Sequence, residues 1–263
     1  MRFLLSRRWL LFLAAVCAMA WLATLLGQWQ FHRLHQKHAT NRAVAGNLAA
    51  PPVPIDDLLA VGREPGSAAV WRRVTVTGTW DAAHSVVVKY QVRSSSPGVD
   101  VATPLVTASG PAVIVDRGWL AAPNTGGTRL RLPPVTSGMV TVTGWVRANG
   151  SGASTQVDGS LQTRALSSTA ISRVVPHPLY GGFLDLALQS PPADRPLGAT
   201  QLPDDTGDGP HFFYGLQWWF FAALAVLGFC YLAYDEWRRA ADSHSSKRTK
   251  HPAVDRHHRP GHE

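Results

Sequence analysis

The chain is 263 residues long, 45% hydrophobic and 16% charged, with a formal net charge of +8. Residues 28–211 hold 15 Lys/Arg against 12 Asp/Glu, a net of only +3, so the basicity collects at the two ends. That distribution excludes a basic nucleic-acid face and fits contact with anionic lipid, and the placement of both cysteines (Cys17 and Cys230) inside apolar runs excludes a disulfide, thiolate metal site or cysteine nucleophile in between.

The first apolar run, Trp9–Leu26, follows a short basic start, residues 1–8. Its 18 residues reach roughly 27 Å as a helix, against about 30 Å of bilayer hydrocarbon. Ala18-Met19-Ala20 matches the small-x-small pattern of a cleaved signal, but Trp21-Leu22-Ala23-Thr24-Leu25-Leu26 continues apolar past it. The run therefore reads as an uncleaved transmembrane helix over residues 9–27. With eight residues ahead of it, a bacterial cell membrane is expected rather than mitochondrial targeting. Residues 28–50 extend this helix beyond the membrane, and Pro51-Pro52-Val53-Pro54 stops it.

Between the runs the chain reads as β. Val74–Thr77, Val86–Val92, Ala112–Val115 and Val140–Thr143 are β-branched runs, with weaker candidates at Val101–Thr107 and Phe183–Leu188. Turn signals separate them at Ser94–Gly98, Ser109–Pro111, Pro123–Gly127 and Asn149–Gly152. The expectation is a mainly antiparallel sheet or small barrel, giving an α+β membrane protein with its β domain within residues 28–211. Arg73–Trp80 and Met139–Trp145 look alike, through duplication or through shared strand-and-turn chemistry. Residues 190–210 read as a loop returning to the membrane.

The second run, Phe212–Tyr234, has 23 residues and reaches roughly 34 Å. Arg238, Arg239, Lys247, Arg248 and Lys250 follow it, whereas Asp204, Asp205 and Asp208 precede it. The positive-inside rule then places residues 235–263 in the cytoplasm, residues 28–211 outside it, and both termini inside. The tail beyond Trp237 is polar and His-rich, and is expected to be disordered.

Few residues carry chemistry. His211 stands at the outer mouth of the second run after Pro210, a residue suited to a first helical turn. On a helix His211, Tyr214, Gly215, Trp218 and Ala222 share a face, where an imidazole beside a glycine gap can meet a planar apolar ligand such as haem. The same residues equally make an interfacial histidine in an aromatic belt. Gln217 is the strongly polar residue deep in a span, and it bonds either the partner helix or a ligand. His32, His35 and His38 drift around a helix and are not completed by an acid or cysteine. His251, His257, His258 and His262 belong to the solvated tail. Phosphate loops, nucleophile elbows and zinc-protease motifs are absent, so no enzyme is expected; Asp81, His84 and Asp116 have no catalytic spacing.

Four pieces occur in order between Trp9 and Trp237. They are Leu26-Gly27-Gln28-Trp29-Gln30 with Arg33 and Lys37; Val74-Thr75-Val76-Thr77-Gly78 leading to Asp81; Gly98 through Thr103-Pro104-Leu105 to Val115-Asp116-Arg117-Gly118-Trp119; and His211-Phe212-Phe213-Tyr214-Gly215-Leu216-Gln217-Trp218-Trp219. With them the chain resembles the Surfeit locus protein one family, assembly factors of cytochrome c oxidase. The resemblance implies an accessory protein that binds haem a and helps insert it into subunit I, the large oxidase subunit. Haem a synthase and membrane lipid are further expected partners. The family's histidine at the start of the second span maps onto His211, as ligand of the haem iron. Trp29, Arg117, Gly118, Trp119 and Gln217 are carried over as motif residues without an assigned role. With the helical spacing, Arg33 or Lys37 is expected to neutralise a haem propionate, while Tyr214 and Trp218 line the ring. The alternative is a scaffold that binds no haem and stabilises the oxidase subunit during assembly. Gly209-Pro210 before the histidine and the long tail depart from the family pattern.

Overall fold

The computed structural model describes residues 5–122, 130–203 and 211–248. The chain divides into two units, Met1–His38 with Thr206–Glu263, and Ala39–Asp205.

The first unit is a pair of helices, most of α1 (Arg7–Ala49) and α3 (His211–Arg248). On α1 the buried residues Val16, Ala23, Gly27 and Leu34 recur at seven- and four-residue steps, the spacing of a coiled-coil seam. The pair is antiparallel. Near one end of α3, Phe31 meets Phe212 and Trp219, with ring centroids 6.2 and 5.2 Å apart. Toward the other end, Phe12 and Trp9 meet Phe229 at 5.5 and 5.9 Å. Two glycines permit the approach: a Cβ on Gly27 would lie 2.3 Å from the Trp219 ring, and one on Gly215 would lie 2.9 Å from the Phe31 ring. Small residues let helices pack in lipid, where no hydrophobic force drives them together. Both helices are long and apolar enough to cross a membrane, and Leu11, Trp21, Phe213 and Leu227 lie exposed on their flanks.

The second unit is a small barrel. Its strands are β1 (Val53–Pro54), β2 (Arg73–Trp80), β3 (Val86–Arg93), β4 (Ser96–Thr107), β5 (Ala112–Ala121), β6 (Met139–Arg147), β7 (Gln162–Thr163) and β8 (Phe183–Ser190); a short helix α2 spans Ser168–Ile171. The order β2-β6-β8-β5-β4 closes because β4 pairs back onto β2 through Leu105–Thr107 and Trp80–Gly78. Closure removes the free edges that would otherwise invite aggregation. The alternating pattern explains the inner face: Val74 and Val76 of β2 and Val140, Val142 and Val146 of β6 point inward. On the outer face, hydroxyls of Thr77 and Thr141 pair at 3.0 Å. Strand β5 is buried on both faces. Val113 and Val115 fill the barrel, while Ala112 and Ile114 pack outward under Leu166, Ile171, Val175 and Leu179. Fully burying each Val, Leu or Ile contributes roughly 1.5–3 kcal/mol. The end of α1 is tied to this unit, since Asn47 Nδ2 donates to the Ala68 and Val70 carbonyls and Arg73 donates to the Ala50 carbonyl.

Every expected strand forms, and α1 continues to Ala49 as expected. Several details differ. The sheet is mixed, because β5 and β8 run parallel, as do β1–β2 and β3–β7. The first turn is only Ser94-Ser95, both at positive φ as in a two-residue hairpin, and Ser96–Gly98 already belong to β4. The look-alike segments β2 and β6 are antiparallel neighbours, so equivalent positions share one environment. Helix α3 runs to Arg248, which corrects the expectation of disorder from residue 238; an Asp235–Arg239 pair at 2.6 Å supports the extension. Cys17 and Cys230 are exposed on the helices rather than packed between them. The expected turn at Pro123–Gly127, the acids Asp204, Asp205 and Asp208, Pro210 and the tail histidines lie outside the described residues.

Candidate functional site

The helix unit brings together most of the expected site. His211 is the first residue of α3, one turn before Gly215. Gly215 is buried and Trp218 and Ala222 are half-buried, so this stripe of α3 faces α1. The glycine gap is filled by the Phe31 ring and is not left for a ligand. Tyr214 stands beside the stripe and is 51% exposed. On α1, Trp29 is exposed and carries the Arg33 guanidinium 5.8 Å above its ring, a cation–π contact one helical turn long. Lys37 follows one turn later, half-buried. Trp218 packs edge-on against Phe221 at 6.0 Å. Gln217 is exposed, which corrects the expectation that it bonds the first span; among the described residues nothing hydrogen-bonds its side chain. His35 Nδ1 donates to the Phe31 carbonyl at 2.7 Å, and His32 Nε2 meets Gln36 at 3.0 Å. No group of three metal-binding side chains forms among the described residues.

The motif Arg117-Gly118-Trp119 falls in the other unit, and its geometry is that of a clip. Gly118 sits at φ +123°, and a Cβ there would lie 2.3 Å from the Gly198 carbonyl oxygen. Only glycine fits such a backbone and such an approach. Trp119 and Gly198 exchange two backbone hydrogen bonds of 2.9 and 2.8 Å. The Trp119 ring covers Gly98, whose Cβ would lie 2.3 Å from it. Arg117 is buried, donates to the Pro133 and Pro134 carbonyls, and stacks over Trp80. Burial lowers its pKa from the usual value. These residues fasten the segments around Pro133 and Gly198 to β5.

Beside the clip lies a polar cavity of about 360 Å³ that sequence reading did not find. Asp100, Asp116 and Asp185 reach it from β4, β5 and β8, and Arg93, Arg147 and Arg164 line it as well. Register shifts in the β3–β4 and β4–β5 ladders surround it, and bulges commonly re-aim side chains in this way. Arg93 pairs with Asp100 at 2.9 Å and also donates to the Gly198 and Ala199 carbonyls. Arg147 pairs with Asp185 and lies 3.9 Å above the Trp71 ring. Desolvation raises the pKa of all three acids; for Asp116 the neighbouring charges of Asp100 and Asp185 add to it. The sequence signal was an acid inside an apolar strand, as in Val99-Asp100-Val101 and Leu184-Asp185-Leu186. Asp81 and His84, set aside for want of spacing, do meet: His84 Nδ1 lies 2.6 Å from Asp81 Oδ2, with His177 Nε2 at 3.5 Å on the other side. Asp116 is not part of that pair.

A family model described as the SURF1 family matches residues 17–223, which spans both helices and the barrel. A SURF1-like protein of Mycobacterium bovis is 30% identical over 241 residues, covering 90% of this chain and 87% of the relative. SURF1-like proteins of two Mycobacterium tuberculosis strains match with the same identity and coverage.

Proposed function

The chain belongs to the SURF1 family, and from that premise we propose that it is a membrane-held assembly factor of cytochrome c oxidase that carries haem a to subunit I. The observation that supports this reading most is the end of the helix pair where α3 begins. His211 opens a membrane-long helix beside Tyr214, and the Phe31–Phe212 contact sets that first turn level with the Trp29–Arg33 segment of α1. An imidazole, exposed aromatic faces and a free-standing guanidinium suit the iron, the macrocycle and a propionate of haem. In this reading His211 ligates the iron, Tyr214 and Trp218 border the ring, and Arg33 or Lys37 neutralises a propionate. The chain is then a carrier rather than an enzyme, and it holds its cargo through one protein ligand so that release stays easy. The β domain lies outside the cytoplasm, and both termini lie inside.

One observation favours the scaffold alternative. Phe31 closes the gap beside Gly215, so a haem must lie on the outer flank of α3 and not in the seam. The deciding experiment is an optical spectrum of the detergent-purified chain produced together with haem a synthase, for the native sequence and His211→Ala. A stoichiometric Soret band that His211→Ala loses supports the carrier. A colourless native chain that still co-purifies with subunit I overturns it in favour of the scaffold.

A further inference from the structure

The polar cavity of the barrel has an unbalanced pairing of charges. Three acids and three arginines line it, and two pairs are made within the protein, Arg93 with Asp100 and Arg147 with Asp185. One acid and one base remain. Asp116 is 6% exposed, accepts only the Gly118 amide at 2.9 Å, and has no cationic partner among the described residues. Arg164 is exposed at the rim, lies 5.0 Å over the Tyr90 ring, and makes no ion pair or side-chain hydrogen bond among the described residues. A third group is also unsatisfied, since the Thr200 hydroxyl lines the cavity, is wholly buried and has no hydrogen-bond partner.

Buried polar groups are nearly always partnered, and an acid is almost never buried unpaired without a reason. The three carboxylates repel an anion from the floor, while a ligand that is only a cation leaves the guanidinium at the rim unused. A metal ion does not fit, because no group of three metal ligands forms among the described residues. About 360 Å³ falls at the small end of ligand pockets. We propose that this cavity binds a small organic zwitterion of the amino-acid class, its ammonium seated on Asp116 and its carboxylate held by Arg164. Thr200 accepts a second proton of the ammonium. The site is separate from the haem reading, and neither depends on the other.

Binding also moves a proton. Burial holds the Asp116 carboxyl protonated well above the usual carboxylate range, and the groups facing it are Asp100, Asp185 and Arg93. A bound ammonium favours the carboxylate, so the complex expels a proton and tightens as pH rises.

The test is calorimetry on the full chain in detergent micelles, titrated with glycine, β-alanine, γ-aminobutyrate and L-lysine, with n-butylamine and n-butyrate as one-ended controls. The expected result is saturable binding of one zwitterion at least about tenfold tighter than either control, with proton release seen as a buffer-dependent heat. Arg164→Gln, at an exposed position, should weaken it about tenfold, and Asp116→Asn should abolish the proton release. Asn keeps the acceptor for the Gly118 amide. No saturable heat with any probe, controls that bind as well as the zwitterion, or native affinity in Arg164→Gln each overturns the proposal.

Discussion

Replacing Arg147 by Met should make the barrel's stability depend steeply on pH. Asp185 is 3% exposed at its side chain, and Arg147 is its ion-pair partner. Removing one partner of a buried pair typically costs about 3–5 kcal/mol, because a buried charge is left uncompensated. The acid can escape that cost by taking up a proton, which sets a ceiling. Protonating at pH 7 an acid whose ordinary pKa is 3.8 requires about 4 kcal/mol. At pH 5 the same ceiling falls to roughly 1.5 kcal/mol. In the native chain desolvation already raises the Asp185 pKa and Arg147 pulls it down, so losing the arginine raises it further. A folded pKa above the unfolded one means the folded state binds the proton more tightly. The variant is therefore closest to native near pH 5 and loses stability as pH rises toward 7. Met keeps apolar contact with Trp71, which confines the change to charge. Urea unfolding of the detergent-solubilised chain, followed by near-ultraviolet circular dichroism at the two pH values, reads the difference. The double variant Arg147→Met, Asp185→Leu should recover most of the loss and its pH dependence. A pH-independent cost, or one below about 1 kcal/mol as for exposed pairs, would refute the argument.

Gly118→Ala forces a Cβ into the Gly198 carbonyl at a positive φ, and should cost a few kcal/mol; trypsin cleavage after Arg195 should speed up as the clip opens. Gly27→Leu overpacks the seam against Trp219, costing about 1–3 kcal/mol, and should reduce disulfide cross-linking of a Phe12→Cys, Phe229→Cys pair in a background lacking Cys17 and Cys230. Tyr180, desolvated and donating to Asp56, should resist ionisation up to about pH 12, as an ultraviolet titration can show. The folded state then holds that proton, so this contribution to stability is lost as pH rises through the interval between 10 and about 12. Neutral substitution of both Arg33 and Lys37 should weaken haem a binding, and unchanged affinity would reject the propionate contact.

The strands were readable wherever period-two alternation of β-branched residues was clean, as in Val74–Thr77 and Val140–Thr143. Val101–Thr107 and Phe183–Leu188 looked weak because Pro104, Asp185 and Ala187 dilute the pattern, yet β4 and β8 flank the most buried strand. Their packing on β5 overrides local propensity. Barrel closure was not visible, since pairing of Gly78 with Thr107 is long-range and leaves no local mark. The helical stripe from His211 to Ala222 follows from periodicity alone, but which ring fills the space beside Gly215 depends on a residue in another helix. The tail past Trp237 was misread because polarity was taken for disorder, although Glu236, Arg238, Arg239, Ala240 and Ala241 favour helix. Arg117-Gly118-Trp119 stood out as a motif, while its partners Pro133 and Gly198 carry no signature.

The pair of backbone hydrogen bonds between Trp119 and Gly198 has a mechanical consequence. The chain leaves β8 at Ser190 and is caught again on β5 before it continues to α3. Tension arriving along the chain from α3 thus loads the clip before it can peel β8 from the barrel. The arrangement works as a strain relief, like the clamp that keeps a tug on a cable from reaching the solder joint. A membrane helix can jostle with its bilayer while the barrel's hydrogen-bond ladder stays unloaded.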